Sequence, residues 1–147
     1  MSKTYIIAEI GINHNGDLDI AKELINTAAN TGCDAVKFQK RTIEEVYTAE
    51  ELDKSRESPW GTTNRQQKEG LEFSYDEYKE LEEYSKNRGL DFIISCWDLN
   101  AVKLVEENLD VDYHKVASAL LTDRDFLEAL KATGKPVILS TGMSSQG

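Results

Sequence analysis

Apolar and polar positions recur along this chain in one order: a short apolar run, a turn, then apolar residues at helical spacing. Residues 5–10 (Tyr-Ile-Ile-Ala-Glu-Ile) form the first run and read as a strand, and residues 11–16 form a polar loop bounded by glycines. Residues 17–31 then place Ile20, Leu24 and Ala28 on one side of a helix, with Ala21 and Ile25 beside them, and Gly32 stops it. Residues 35–39 give a second strand. Residues 74–87 give a second helix, opened by a Ser74/Glu77 capping box with Phe73 as its staple. Residues 90–95 give a third strand, and Asp98 caps a helix bearing Ala101, Val102 and Val105. Residues 113–117 give a fourth strand, followed by a helix opened by Thr122 and Asp125 that carries Phe126, Leu127 and Leu130. The Gly134-Lys135-Pro136 break precedes a fifth strand at 137–140.

Strands alternating with helices imply an α/β fold with parallel strands. The pattern suits a closed barrel or an open doubly wound sheet and does not choose between them. Residues 40–72 break the rhythm with a long, charged, turn-rich stretch containing Ser58-Pro59-Trp60-Gly61. Such a stretch is either a lid over a site or a surface excursion with a short helix near residues 43–55.

Composition narrows the partners. Of the 147 residues, 39% are hydrophobic and 30% charged, a globular balance. The 17 Lys+Arg against 27 Asp+Glu give a formal charge of −10, which argues against a nucleic acid or an anionic membrane as partner. The chain shows neither a membrane-length apolar run nor the pattern of a signal peptide, and its two cysteines, Cys33 and Cys96, have no paired spacing. The expectation is a cytoplasmic protein with free thiols.

Polar residues collect at the C-terminal ends of the strands: Glu9, Lys37 and Gln39, Ser95, Lys115 and Ser118, Ser140 and Thr141. That edge hosts active sites in barrels and open parallel sheets alike. Lys37 and Lys115 lie inside otherwise apolar strands, and a buried ammonium has to meet an anion or lose its proton. Strand alternation puts Ala35, Lys37 and Gln39 on one face, and Tyr113, Lys115 and Ala117 on one face. Two converging lysines make a phosphate or carboxylate site; alternatively each pairs with a neighbouring carboxylate such as Glu9. Glu9 itself suits an acid, a base or a lysine partner. His14 and His114 form no pair at metal-ligand spacing, and His14 is a candidate pocket residue. The Ser140-Thr141-Gly142 turn offers hydroxyls and backbone N–H groups to an oxyanion. Cys96, at the same rim, has no evident base beside it, so a packed, inert thiol is the plainer reading.

Four segments, Ile6-Ile7-Ala8-Glu9-Ile10-Gly11-Ile12-Asn13-His14-Asn15-Gly16, Asp34-Ala35-Val36-Lys37-Phe38-Gln39, Ser58-Pro59-Trp60-Gly61-Thr62 and Lys135-Pro136-Val137-Ile138-Leu139-Ser140-Thr141-Gly142-Met143, occur in an order that resembles the N-acetylneuraminate (sialic acid) synthase family. The resemblance implies a TIM (β/α)8 barrel followed by an antifreeze-like domain, in a swapped homodimer. A full barrel takes about 250 residues, so residues 1–147 would form its N-terminal portion, about strands 1–5. The implied reaction is a metal-dependent condensation of phosphoenolpyruvate with N-acetylmannosamine or a related N-acylated sugar, giving a nonulosonic acid and phosphate. The implied metal is Mn2+ or Mg2+, held by two histidines on later strands. The positions of Lys37, Lys115, Ser118 and Ser140 would hold phosphoenolpyruvate, with Glu9 at its reacting end and Gln39 nearby. The expected set is therefore Glu9, Lys37 and Lys115 as catalytic residues, with Gln39, Ser95, Cys96, Ser118, Ser140 and Thr141 binding substrate.

Two departures bear on specificity. The family's third strand ends Ser-Thr-Pro-Phe where this chain has Ser95-Cys96-Trp97-Asp98, which puts a poorer hydrogen-bond donor at a phosphate-holding position. Ser118 is followed by Ala119-Leu120-Leu121 instead of Gly and an acidic residue. The sugar is thus open among sialic, legionaminic, pseudaminic and phosphorylated sialic acid precursors. The more distant condensing enzymes that join phosphoenolpyruvate to aldose phosphates lack this ordered motif set. A reading of another class, an inactive fragment or binding module, carries the expectation that the 147-residue chain alone is inactive.

Overall fold

The computed structural model describes residues 3–145. Its main body is a five-stranded parallel sheet of β1 (Ile7–Gly11), β2 (Ala35–Lys40), β5 (Asp91–Cys96), β6 (Tyr113–Val116) and β7 (Val137–Leu139), in that spatial order. Between β2 and β5 lie α2 (Ile43–Val46), α3 (Ala49–Leu52), a hairpin of β3 (Ser55–Ser58) and β4 (Gly61–Thr63), and α4 (Asn64–Glu69). Each main-sheet strand is added on the same side as the last. A doubly wound sheet reverses direction at a switch point; this one does not, which is the order of strands in a barrel.

The connecting helices are α1 (Leu18–Asn30), α5 (Tyr75–Asn87), α6 (Leu99–Asn108) and α7 (Arg124–Ala132). Their starts follow local chemistry. The Asp17 carboxylate accepts from the backbone N–H groups of Asp19 and Ile20, and Ser74 and Glu77 form the expected capping box. Phe73 stacks edge-on against Tyr78 at 5.6 Å between ring centroids, completing the staple. Asp98 accepts from Ala101 N–H at 2.6 Å. Two details differ from expectation. Asp123, not Thr122 or Asp125, caps α7, accepting from Phe126 N–H at 3.0 Å, because its position three residues ahead fits the first turn. In α1 the buried stripe is Ala21, Ile25 and Ala28, and Ile20 turns outward.

The core lies between the sheet and these helices. Val36 and Phe38, Phe92, Ile94 and Cys96, and Val116 supply its sheet side, and Ile25, Leu81, Val105 and Phe126 its helix side. Phe38, Phe92, Tyr78 and Phe126 are at most 1% exposed, and aromatic burial of this kind dominates core energetics. No helix among the described residues is long and apolar enough to cross a membrane.

The stretch after β2 is folded. The single helix expected over 43–55 is two one-turn helices, because Thr48 begins again with its own capping box to Glu51. Polar contacts far apart in sequence fasten it. Arg41 Nε donates to Glu72 at 2.7 Å, and Lys40 Nζ lies 3.5 Å from the same carboxylate while donating to the Phe73 carbonyl at 2.9 Å. Its far end sits against the loop after β1: a β-carbon at Gly16, φ +71°, would lie 2.0 Å from the Gly70 carbonyl oxygen.

Candidate active site

Alternation along the parallel strands divides the sheet into two chemically different faces. Val36, Phe38, Phe92, Ile94 and Val116 meet the helices. The opposite face carries Glu9 on β1, Lys37 and Gln39 on β2, Ser95 on β5 and Lys115 on β6. The register pairs Glu9 with Lys37, Lys37 with Ile93, and Ile93 with Tyr113, and it pairs Gln39 with Ser95. The charged residues therefore stand on one face at the C-terminal half of the sheet.

Lys37 is 5% exposed, and its ammonium meets Glu9 Oε2 at 2.6 Å. The Glu9 side chain is 53% exposed, so this ion pair opens to solvent on the carboxylate side. Lys115 holds its proton less firmly than an ordinary lysine. Burial is the main cause, and the like charge of Lys37 adds to it against an opposing pull from Glu9. The two ammonium groups and the carboxylate thus act on one another. With two cations and one carboxylate, the cluster carries a surplus positive charge in a chain of net charge −10.

The flanking residues are held by their neighbours. Ser95 Oγ donates to the Lys115 carbonyl at 3.1 Å, joining β5 to β6 beside the lysine. Gln39 has its backbone carbonyl bound by Tyr78 Oη at 2.6 Å from the helix side, and its side-chain nitrogen lies at the end of β1 beside Gly11. Ser118 begins a 3-10 turn, Ser118–Leu120, and packs beside Gly142, where an added β-carbon would lie 3.5 Å from Ser118 Oγ. Ser140 N–H donates to the Val116 carbonyl at 3.1 Å, so Ser140 and Thr141 follow β7 at the same edge as Ser118.

Three residues lie elsewhere. Cys96 is 1% exposed in the helix-side core with Phe92 and Ile94, on the opposite face from Ser95, and burial pushes its thiol pKa up. Its parity along β5 makes it a packing residue, so it is not placed to hold a ligand with the lysines. His14, a candidate pocket residue, is fully buried. It stacks on Phe73 at 4.2 Å, and its Nδ1 accepts from Gly16 N–H at 3.0 Å. Burial lowers its pKa to about 4, so it is a neutral core residue. His114 faces the helices, where its Nε2 lies 2.9 Å from Glu106, away from Lys115.

The sequence reading missed a second buried charge cluster on the helix-facing side, where Lys40 and Arg41 share Glu72. The signal was present in the parity of β2: Lys40 is odd-spaced from Lys37 and so belongs to the other face. Among the described residues, no three His, Cys, Asp or Glu side chains gather closely enough to hold a metal ion. Glu9 is the one acidic member of the lysine cluster and is engaged by Lys37.

The chain resembles known proteins along nearly its whole length. The chain is 41% identical over 143 residues to the N-acetylneuraminate-9-phosphate synthase of Mus musculus, covering 96% of this chain and 40% of that protein. It is 35% identical to the N,N'-diacetyllegionaminic acid synthase of Campylobacter jejuni, covering 45% of that protein. The chain thus spans less than half the length of these relatives. Among solved structures, the N-acetylneuraminic acid synthetase of Leptospira borgpetersenii in complex with citrate superposes with a TM-score of 0.82 at 29% identity, over 98% of this chain and 46% of that one. The fold is accordingly part of a (β/α)8 barrel, of which the five parallel strands are one continuous arc. The NeuB family model matches residues 24–147, a span that includes both lysines, Ser95 and Ser118, and this chain belongs to the NeuB family.

Proposed function

We propose that this chain carries the phosphoenolpyruvate-binding part of a sialic acid synthase-type enzyme. The observation that carries the reading is the cluster of Lys37, Lys115 and Glu9 on one face of the sheet, with the Lys37 ammonium on the half-exposed Glu9 carboxylate and Lys115 close enough to feel both charges. Phosphoenolpyruvate brings a phosphate and a carboxylate, which such a cluster attracts strongly because its surroundings are partly desolvated. Ser95, Ser118, Ser140 and Thr141 supply hydroxyl groups along the same edge, and Gln39 an amide. Glu9 lies where the carbon end of the bound molecule faces the incoming sugar.

The reaction is the condensation of phosphoenolpyruvate with N-acetylmannosamine or a related N-acylated sugar. The methylene carbon of the enol phosphate bonds to the aldehyde carbon of the open-chain sugar, whose oxygen takes a proton to become a hydroxyl. Water adds to the cationic carbon left behind and loses a proton; the carbon–oxygen bond to phosphate breaks, giving the nonulosonic acid and inorganic phosphate. The residues here hold and orient the anion, and Lys37 and Lys115 offset its charge. Among the described residues, no cluster of three His, Cys, Asp or Glu side chains would hold the divalent metal that the resemblance implies.

The relatives extend well beyond the matched region, and the chain on its own is expected to bind without turning over. Titration calorimetry of the 147-residue chain with phosphoenolpyruvate tests binding: saturable heat whose affinity Lys37→Met and Lys115→Met each weaken supports the reading, and no heat with the folded wild type refutes it. Phosphate release at enzyme-like rates from the chain with phosphoenolpyruvate, N-acetylmannosamine and manganese would refute the binding-only expectation.

A second reading concerns the sugar. The 41% identity to a 9-phosphate synthase favours a phosphorylated N-acetylmannosamine, and activity assays with phosphorylated, unphosphorylated and diacetylated sugars separate the alternatives, including legionaminic and pseudaminic acid precursors.

A further inference from the structure

Gly11 closes β1 at the mouth of this cluster. It is buried, and its backbone adopts φ +58°, in the left-handed region. The pairing with β2 is irregular there: Glu9 stands opposite Lys37, and Gly11 opposite Phe38, so Ile10 is skipped. Such a bulge bends the strand and re-aims its side chains. A β-carbon at Gly11 would lie 3.1 Å from Glu9 Oε1 and 3.3 Å from Gln39 Nε2, both tighter than ordinary van der Waals contact. The other Glu9 oxygen is the one on Lys37.

We infer that Gly11 is a positioning residue: the notch left by its missing side chain seats Glu9 on Lys37 with Gln39 beside it, giving Lys37 a resident counter-ion that an arriving anion has to share or displace. The role of that counter-ion rests on the anion-binding reading; the notch itself does not. Glu9 and Gln39 come from adjacent strands, and each reaches the space above Gly11 with the polar end of a flexible side chain. Any side chain at position 11 crowds both, and they have to give by at least a few tenths of an ångström. Glu9, with its half-exposed side chain, is the one free to leave.

A substitution at Gly11 also strains the backbone, so the test needs a control with the same strain and no crowding. Gly32 supplies it, with φ +84° and nothing within 4 Å of an added β-carbon. Asn tolerates the left-handed region best among residues with a side chain, so Gly11→Asn is compared with Gly32→Asn in the 147-residue chain. The readout is the rate at which acetic anhydride acetylates Lys37, followed by peptide mass spectrometry, with circular dichroism to establish folding. Losing its carboxylate partner frees the Lys37 amine, so Gly11→Asn is expected to raise that rate about fivefold while Gly32→Asn stays within about twofold of wild type. Adding Glu9→Gln to Gly11→Asn should add little, since both remove the same contact. Equal rates in the two asparagine variants, or full additivity with Glu9→Gln, overturn the inference. Should Gly11→Asn not fold, Gly11→Ala against Gly32→Ala makes the same comparison. Protection of Lys37 by phosphoenolpyruvate is measured in the wild type alone: its absence counts against the anion-binding reading and leaves the Gly11 comparison standing.

Discussion

Strand β2 carries two buried lysines three residues apart, and the sheet turns them to opposite faces. Lys40 faces the helices, donates to the Phe73 carbonyl and shares Glu72 with Arg41, whose guanidinium binds that carboxylate at 2.7 Å. The Glu72 side chain is only 9% exposed, so this cluster is largely closed to solvent. Lys37 faces the inner side and has one partner, Glu9, whose side chain is 53% exposed. Burial of an ammonium is therefore not a functional signal by itself. The accessibility of its counter-ion distinguishes a cation that fastens the fold from one that can exchange its partner for a ligand.

The closed cluster gives the largest expected effect. Glu72→Gln leaves Lys40 and Arg41 buried without a carboxylate, and breaking a buried ion pair from one side costs about 3–5 kcal/mol. Urea denaturation should show a loss of that size, and the stretch over residues 41–72 should become the first site of protease cleavage. An unchanged urea midpoint would mean that this cluster does not fasten the stretch to the sheet. The open cluster should respond in the reverse way. Lys37→Met is expected to weaken phosphoenolpyruvate binding about tenfold or more, the scale of a lost charge-assisted hydrogen bond. Its urea midpoint should move little, because Glu9 can return to water. If both variants lost stability alike and neither changed binding, the two faces would not differ in role.

A smaller effect lies in the pH dependence of the open cluster. Lys115 holds its proton less firmly than an ordinary lysine, through burial first and then the charge of Lys37. An anion binds the protonated form, so phosphoenolpyruvate affinity should fall as pH rises toward the lysine range, and fall earlier than an ordinary lysine would dictate. Removing Lys37 takes away the like charge, and the decline in Lys37→Met should move to higher pH. Calorimetric titrations across the alkaline range read this directly; a decline that stays in place would show that the two ammonium groups do not sense one another.

What could be read from the sequence follows the range of the interactions involved. The strands and the four long helices were legible because their signals are local: periodicity, an aspartate or serine at a helix start, a glycine past its end. The shared face of Lys37 and Gln39 was legible for the same reason, since parity along a strand needs no partner. The folded state of residues 41–72 was not, because it rests on contacts such as Arg41–Glu72, 31 residues apart. Pattern alone also left Lys37 between a ligand and Glu9. The notch at Gly11 was hidden because it depends on side chains from two strands meeting above a third residue.

Cys96 gives the smallest expected effect and tests the division between the faces most closely. It follows Ser95, and the resemblance puts a phosphate-holding threonine at its position. The structure turns Ser95 toward Lys115, whose carbonyl it binds, and buries Cys96 among Phe92 and Ile94. If that parity is right, Cys96→Thr restores the family residue without placing a hydroxyl near the lysines, and phosphoenolpyruvate affinity should stay within about twofold of wild type. The new hydroxyl would sit among apolar side chains and cost about 1–3 kcal/mol in stability. A Ser95→Ala variant, on the inner face, should weaken binding more than Cys96→Thr alters it. Tighter binding in Cys96→Thr with no loss of stability would place position 96 on the ligand side of the sheet, and the two-face assignment of β5 would have to be reversed.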